Sequence, residues 1–179
     1  GERLADCVLR RVVAENNRGS AYTFYTAKLC ATSTPLSVRF EDCVSRGTNR
    51  VSLAVHLATR TGAAGPEGLI EFVRCRFEDD GRAGVRIGKS AADAKLRFEG
   101  CVLADPSAAT TSSAPLTIET NPGHRTAAGG VDFGEFRLVE KVERPALAFC
   151  NGGGVPLSDV TGTLRIERGE EVVRMPLDD

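Results

Sequence analysis

The sequence has no tryptophan, one methionine, two histidines and two tyrosines. It also has no helical apolar stripe of any length: the nearest candidates, residues 91–95 and 139–143, last about one turn. A helical bundle is thereby excluded. No apolar run approaches the ~18 residues of a membrane span. Neither sign of charge dominates, with 23 basic and 24 acidic residues and a net charge of −1. That balance removes the electrostatic ground for expecting nucleic acid or an anionic membrane as a partner. No Cys-x-x-Cys pair offers zinc-ligand spacing, and no Asn-x-Ser/Thr acceptor occurs. Gly152-Gly153-Gly154 opens no helix, so it is not a phosphate loop. No order of Ser, His and Asp marks a triad. His124 falls in a turn sequence, Asn121-Pro122-Gly123-His124. The chain opens Gly1-Glu2-Arg3-Leu4 without a signal-like segment, as a trimmed piece of a longer protein would.

What the sequence does have is 19 glycines, eight prolines, much Val and Thr, and 41% apolar residues. These suit one domain over residues 1–179, built from short strands and frequent turns. An internal repeat organises it. Leu-Ala-Asp-Cys (4–7), Phe-Glu-Asp-Cys (40–43), Phe-Val-Arg-Cys (72–75) and Phe-Glu-Gly-Cys (98–101) share one kernel. Phe-Gly-Glu-Phe (133–136) and Leu-Ser-Asp-Val (157–160) read as degenerate copies. The fourth positions are 36, 32, 26, 35 and 24 residues apart, so the kernel is constant while the loops vary. A second kernel follows each first one: residues 21–26, 52–57, 84–88, 115–119 and 145–149 alternate apolar with small or polar residues, the period of a strand with one buried face. Phe40 and Cys43 stand three apart and cannot share a face of one flat strand, so the polar pair between them is expected to turn a corner.

These kernels, with inward Phe and Cys around a polar corner, resemble the right-handed parallel β-helix repeat proteins of the pectate-lyase-like superfamily. The resemblance covers roughly residues 3–166 and implies an all-β, single-stranded right-handed parallel β-helix (a β-solenoid) of about six coils. The expected coils start near residues 3, 37, 69, 95, 130 and 155, with 164–179 as a closing segment that turns near Gly169. Leu4, Phe40, Phe72, Phe98, Phe133 and Leu157 would form one interior ladder. Cys7, Cys43, Cys75, Cys101, Phe136 and Val160 would form another. The ladder cysteines are expected as buried free thiols, with disulfides and metal ligands as the alternatives. Cys30 and Cys150 fall outside that ladder. Open ends would leave strand edges for the remainder of a parent chain or for self-association.

In the resembled family the substrate cleft lies on the outer face of one sheet, here mapped onto the second kernel. The expected outward columns are Thr23, His56, Arg86, Thr117 and Ala148, then Tyr25, Ala58, Gly88, Glu119 and Cys150. His56, Arg86 and Glu119 are the catalytic candidates, as base, cation and carboxylate; Tyr25, Thr23 and Thr117 are the substrate-binding candidates. A solvated sheet face with no role is the competing reading of the same residues. A conventional acid pair for glycoside hydrolysis is not evident, since Glu119 is the one carboxylate on this face. Asp79, Asp80 and Asp105 are a weak calcium cluster, because turn formation alone accounts for Asp79-Asp80-Gly81 and Asp105-Pro106. No other cofactor is expected. The resemblance implies an extracellular or periplasmic protein, a polysaccharide lyase or glycoside hydrolase, or a polysaccharide-binding segment. The alternative is a non-catalytic structural, adhesive or assembly module.

Overall fold

The computed structural model describes residues 6–18, 21–25, 36–47, 51–58, 68–78, 83–90, 95–104, 116–120, 130–140, 146–151 and 160–177. These contain strands and no helix. In chain order the strands are β1 (Cys7–Arg10), β2 (Val13–Glu15), β3 (Tyr22–Tyr25), β4 (Leu36–Glu41), β5 (Val44–Arg46), β6 (Val51–Ala58), β7 (Gly68–Val73) and β8 (Arg76–Glu78). Then come β9 (Ala83–Ser90), β10 (Lys95–Glu99), β11 (Val102–Ala104), β12 (Leu116–Thr120), β13 (Val131–Val139), β14 (Leu147–Asn151), β15 (Val160–Arg168) and β16 (Glu171–Pro176).

Pairing follows a period of three. An eleven-stranded sheet runs β1-β4-β7-β10-β13 and returns through β11-β8-β5-β2. A second sheet of five strands runs β14-β12-β9-β6-β3. All of these pairs are parallel. β13 joins the two limbs of the larger sheet, because its first residues pair with β10 and its last with β11. Beyond it, β15 pairs in parallel with β13, and β16 folds back antiparallel on β15 after the turn at Gly169. The closing hairpin expected from the sequence is therefore present.

The corner between the first two strands of each repeat has a backbone cause. Arg11, Asp42, Arg74 and Gly100 adopt φ of 53°, 55°, 50° and 61°. A left-handed residue turns the chain sharply, at a cost of about 1–2 kcal/mol for a side chain with a Cβ. The corner amides stay bonded: Arg11, Asp42 and Arg74 donate to the carbonyls of Glu41, Val73 and Glu99 in the following repeat, at 2.9, 3.0 and 2.8 Å. In the fifth repeat the left-handed residue moves one place back, to Gly134, within the unbroken strand β13.

The core is a set of columns. Phe40, Phe72, Phe98 and Phe133 stack face to face, with centroid spacings of 4.8, 5.0 and 5.3 Å. Phe136 meets Phe98 and Phe133 edge-on, each at 5.6 Å. Cys43, Cys75, Cys101 and Phe136 form the column after the corner, and all are buried. Each thiol donates to the carbonyl of the aromatic or leucine position one repeat earlier: Cys43 to Leu9 at 3.4 Å, Cys75 to Phe40 at 3.6 Å, Cys101 to Phe72 at 3.2 Å. A cysteine fits here because it is small, apolar and able to donate weakly. All four described cysteines, Cys7, Cys43, Cys75 and Cys101, are free thiols, of which Cys7 is only half-buried. Cys30 and the side chain of Cys150 lie outside the described residues.

The ends of the repeat depart from the sequence reading. Leu9, not Leu4, lies opposite Phe40, and Val13 opposite Val44, which sets Val12 rather than Cys7 in the cysteine column. Cys7 lies opposite Val38, in a third interior column continued by Ile70, Leu96 and Val131. The working kernel of the first repeat is Leu9-Arg10-Arg11-Val12, set by the pairing of β1 with β4 and β2 with β5; Asp6, in the kernel expected from the sequence, is left-handed as well, with φ of 57°. At the other end Val160 pairs with Val131, and Leu164 takes the place opposite Phe136. A bulge in β13, where Phe133 and Gly134 together oppose Gly162 (φ of 108°), separates the two. Leu4 and Leu157 lie outside the described residues.

Candidate functional site

The five-stranded sheet carries every strand residue of the expected surface. Its alternation starts from the buried end: Val85 and Leu116 are partners and both are buried. Thr117 pairs with Arg86, and Arg86 with Ala54, which pairs with Thr23. In the next column Tyr25 pairs with His56, His56 with Gly88, and Gly88 with Glu119. His56 thus leaves the Thr23 column, where the sequence reading put it, and joins Tyr25. Leu53, Val55 and Leu57 alternate through β6, so a slip of two residues preserves the apolar face, and only the hydrogen-bond register decides between the two settings.

The corrected register is more compact than the expected one. Tyr25 and His56 are immediate neighbours, about 4.8 Å apart along the sheet. His56 and Glu119 flank Gly88, so their backbones stand about 10 Å apart with a position bearing no side chain between them. Arg86 is two residues from Gly88 on β9, beside Thr117. Thr23 lies two strands from Arg86 in the Arg86 column. Asp79, Asp80 and Asp105 lie outside the described residues. Among the described residues no group of three or more His, Cys, Asp or Glu side chains could hold a metal ion. No described helix is long and apolar enough to cross a membrane.

The outer face of the larger sheet is organised differently. The residue before each stacked Phe forms a column of alternating charge: Arg39, Glu71, Arg97 and Asp132. Arg39 reaches Glu71 at 3.2 Å, and Arg97 lies 3.7 Å from Glu71 and 4.0 Å from Asp132. At the corner, Arg74 bonds Glu41 and Asp42, each at 2.7 Å, and Arg10 bonds Glu41 at 2.8 Å. The Arg74 guanidinium holds both carboxyls below the usual carboxylate range. Glu15 pairs with Arg46, and Glu167 with Arg137 at 2.6 Å. The sequence signal for this column is the charge of the residue before each kernel Phe, which changes sign at every repeat. This face neutralises itself, so it presents ion pairs rather than free charge.

Inside, Tyr22 ties the two sheets together. Its hydroxyl donates at short range between the carbonyls of Val12 (2.6 Å) and Val44 (2.7 Å), and its ring meets Phe40 edge-on at 6.0 Å. Burial pushes its ionisation far up, so it acts as a neutral brace. No protein-family model, curated protein or solved structure matches the chain.

Proposed function

We propose that the chain is a right-handed parallel β-helix segment of pectate-lyase-like type, carbohydrate-active or polysaccharide-binding, with its groove on the outer face of the five-stranded sheet. The single observation that supports this most is the register: Tyr25, His56 and Glu119 share one column, and Arg86 and Thr117 border it. An aromatic platform, a base, a carboxylate and a guanidinium on one sheet suit a chain of neutral or acidic sugars. The larger sheet is the poorer candidate, because its charges are already paired across repeats. In this reading the protein works outside the cytoplasm, where extended polysaccharides are found, and His56 is the base of a lyase or hydrolase step. Calcium enters only through Asp79, Asp80 and Asp105.

The experiment is a panel of pectin, alginate and neutral polysaccharides, assayed for binding and cleavage with and without Ca²⁺. His56→Ala is expected to remove cleavage, and Arg86→Ala to weaken binding of acidic chains more than neutral ones. Absence of both binding and cleavage across the panel would sink the reading and leave a non-catalytic module, which the self-neutralised ladder of Arg39, Glu71, Arg97 and Asp132 favours.

A further inference from the structure

Among the described residues the two ends of the strand stack lack a further strand, and they are unlike. At one end Val8, Val12 and Val13 are 50%, 37% and 54% exposed. Val12 occupies the column of Cys43, which is 1% exposed, so its exposure reflects a missing neighbour rather than an outward position. Among the described residues no strand pairs with the outer edge of β1 or β2. At the other end β16 pairs with β15 alone, and Val172 and Val173 are 50% and 39% exposed. Unpaired edges bearing apolar side chains are templates for another strand.

We propose that β16 of one copy docks antiparallel on β2 of a second copy, so that copies associate head to tail. The columns argue for this partner. They run from Val13 through Val44, Arg76, Val102, Arg137 and Arg165 to Arg174. Continued across the junction, they set Val13 opposite Arg174, Ala14 opposite Val173 and Val12 opposite Met175. Met175 and Val173 are partners of the buried Leu164 and Ile166. They would cover Val12 and Ala14, whose counterparts Cys43 and Ser45 are buried one repeat on. Glu15, paired with Arg46 in its own copy, falls diagonally from Arg174, paired with Glu135 in its own, so the junction adds to ion pairs already present. β16 runs antiparallel to β15, whose direction β2 shares, so the docked pair is an ordinary antiparallel ladder. The two surfaces differ, which makes the contact heterologous and the series open rather than closed.

Sedimentation of the whole chain over a wide concentration range tests this, with Val13→Lys and Val173→Lys as capping variants and circular dichroism as the check on folding. The wild type is expected to give a mass that rises with concentration without a plateau at the dimer. Each variant alone keeps one competent end and is expected to be monomeric. An equimolar mixture of the two is expected to give dimers and nothing larger, because Val13→Lys still carries a good β16 and Val173→Lys a good β2. A wild type that stays monomeric at the highest concentration overturns the proposal. So does a dimer abolished by Val13→Lys but untouched by Val173→Lys, since that is head-to-head pairing.

Discussion

Replacing Phe98 by alanine probes the aromatic column at its most crowded point. Phe98 is fully buried, stacks on Phe72 at 5.0 Å and on Phe133 at 5.3 Å, and receives the edge of Phe136 at 5.6 Å. Truncating a buried Phe costs about 3–5 kcal/mol through lost transfer energy and the cavity left behind. Three aromatic contacts, each worth about 0.5–1.5 kcal/mol beyond area, place Phe98→Ala near the top of that range. Phe40→Ala provides the internal control. Phe40 stacks on Phe72 alone, meets Tyr22 edge-on and retains 8% exposure, so its loss is expected near about 3 kcal/mol. Urea titrations followed by far-ultraviolet circular dichroism measure both. A Phe72/Phe98 double-mutant cycle should return a coupling of about 0.5–1.5 kcal/mol, as expected of packed neighbours. If Phe98→Ala costs less than about 1 kcal/mol, or no more than Phe40→Ala, the stacked column is not the centre of the core and the reasoning fails.

Two glycines separate backbone strain from steric collision. Gly100→Ala meets only Arg74 Cγ at 3.7 Å and should cost about 1–2 kcal/mol for its left-handed φ, whereas the Cβ of Gly134→Ala falls 2.5 Å from the Phe98 carbonyl and should cost clearly more, as thermal denaturation will show. Glu41 and Asp42 are held below their ordinary pKa by Arg74. A carboxylate depressed on folding stabilises above its unfolded pKa and loses that contribution as pH falls through the folded value. Melting temperatures should therefore fall as pH drops below about 4, and Arg74→Ala should flatten that dependence and lose its salt sensitivity. A slope identical in the variant would remove Arg74 as the cause. Burial pushes the Cys43 thiol up, and the adjoining Cys101 thiol together with burial does the same for Cys75. Both should resist a thiol reagent in the native protein and react once it unfolds; prompt native labelling would contradict their burial.

The middle of the fold was legible in the sequence and its ends were not. Phe-Glu-Asp-Cys, Phe-Val-Arg-Cys and Phe-Glu-Gly-Cys combine an unusual pair of side chains with a corner, and no other register satisfies both. Toward the ends the signal weakens to any apolar pair spaced by three. Leu4/Cys7 and Leu9/Val12 meet that pattern equally, and the conserved residue type at Cys7 points to the wrong one. The pairing of β1 with β4 and of β2 with β5 decides it, since Asp6 and Arg11 are both left-handed and the backbone turn alone does not choose between them. The candidate surface suffered from a different ambiguity. Alternation identifies the apolar face of β6 but not its register, since Leu53, Val55 and Leu57 are interchangeable under a two-residue slip. That these residues lie on the strands of one sheet was thus readable from sequence, while the adjacency of Tyr25 and His56 required the backbone pairing.

β13 runs without interruption from one limb of the larger sheet to the other. In the first four repeats the strand is interrupted at the corner by two residues, the first of them left-handed, whereas β15 like β13 is unbroken. At β13 the two limbs are one ribbon, bonded on both sides along most of its length. Opening of the structure should therefore be directional. Amide exchange is expected fastest at β1 and β2 and progressively slower toward β10, β11 and β13, with the first repeats peeling away while the last ones hold.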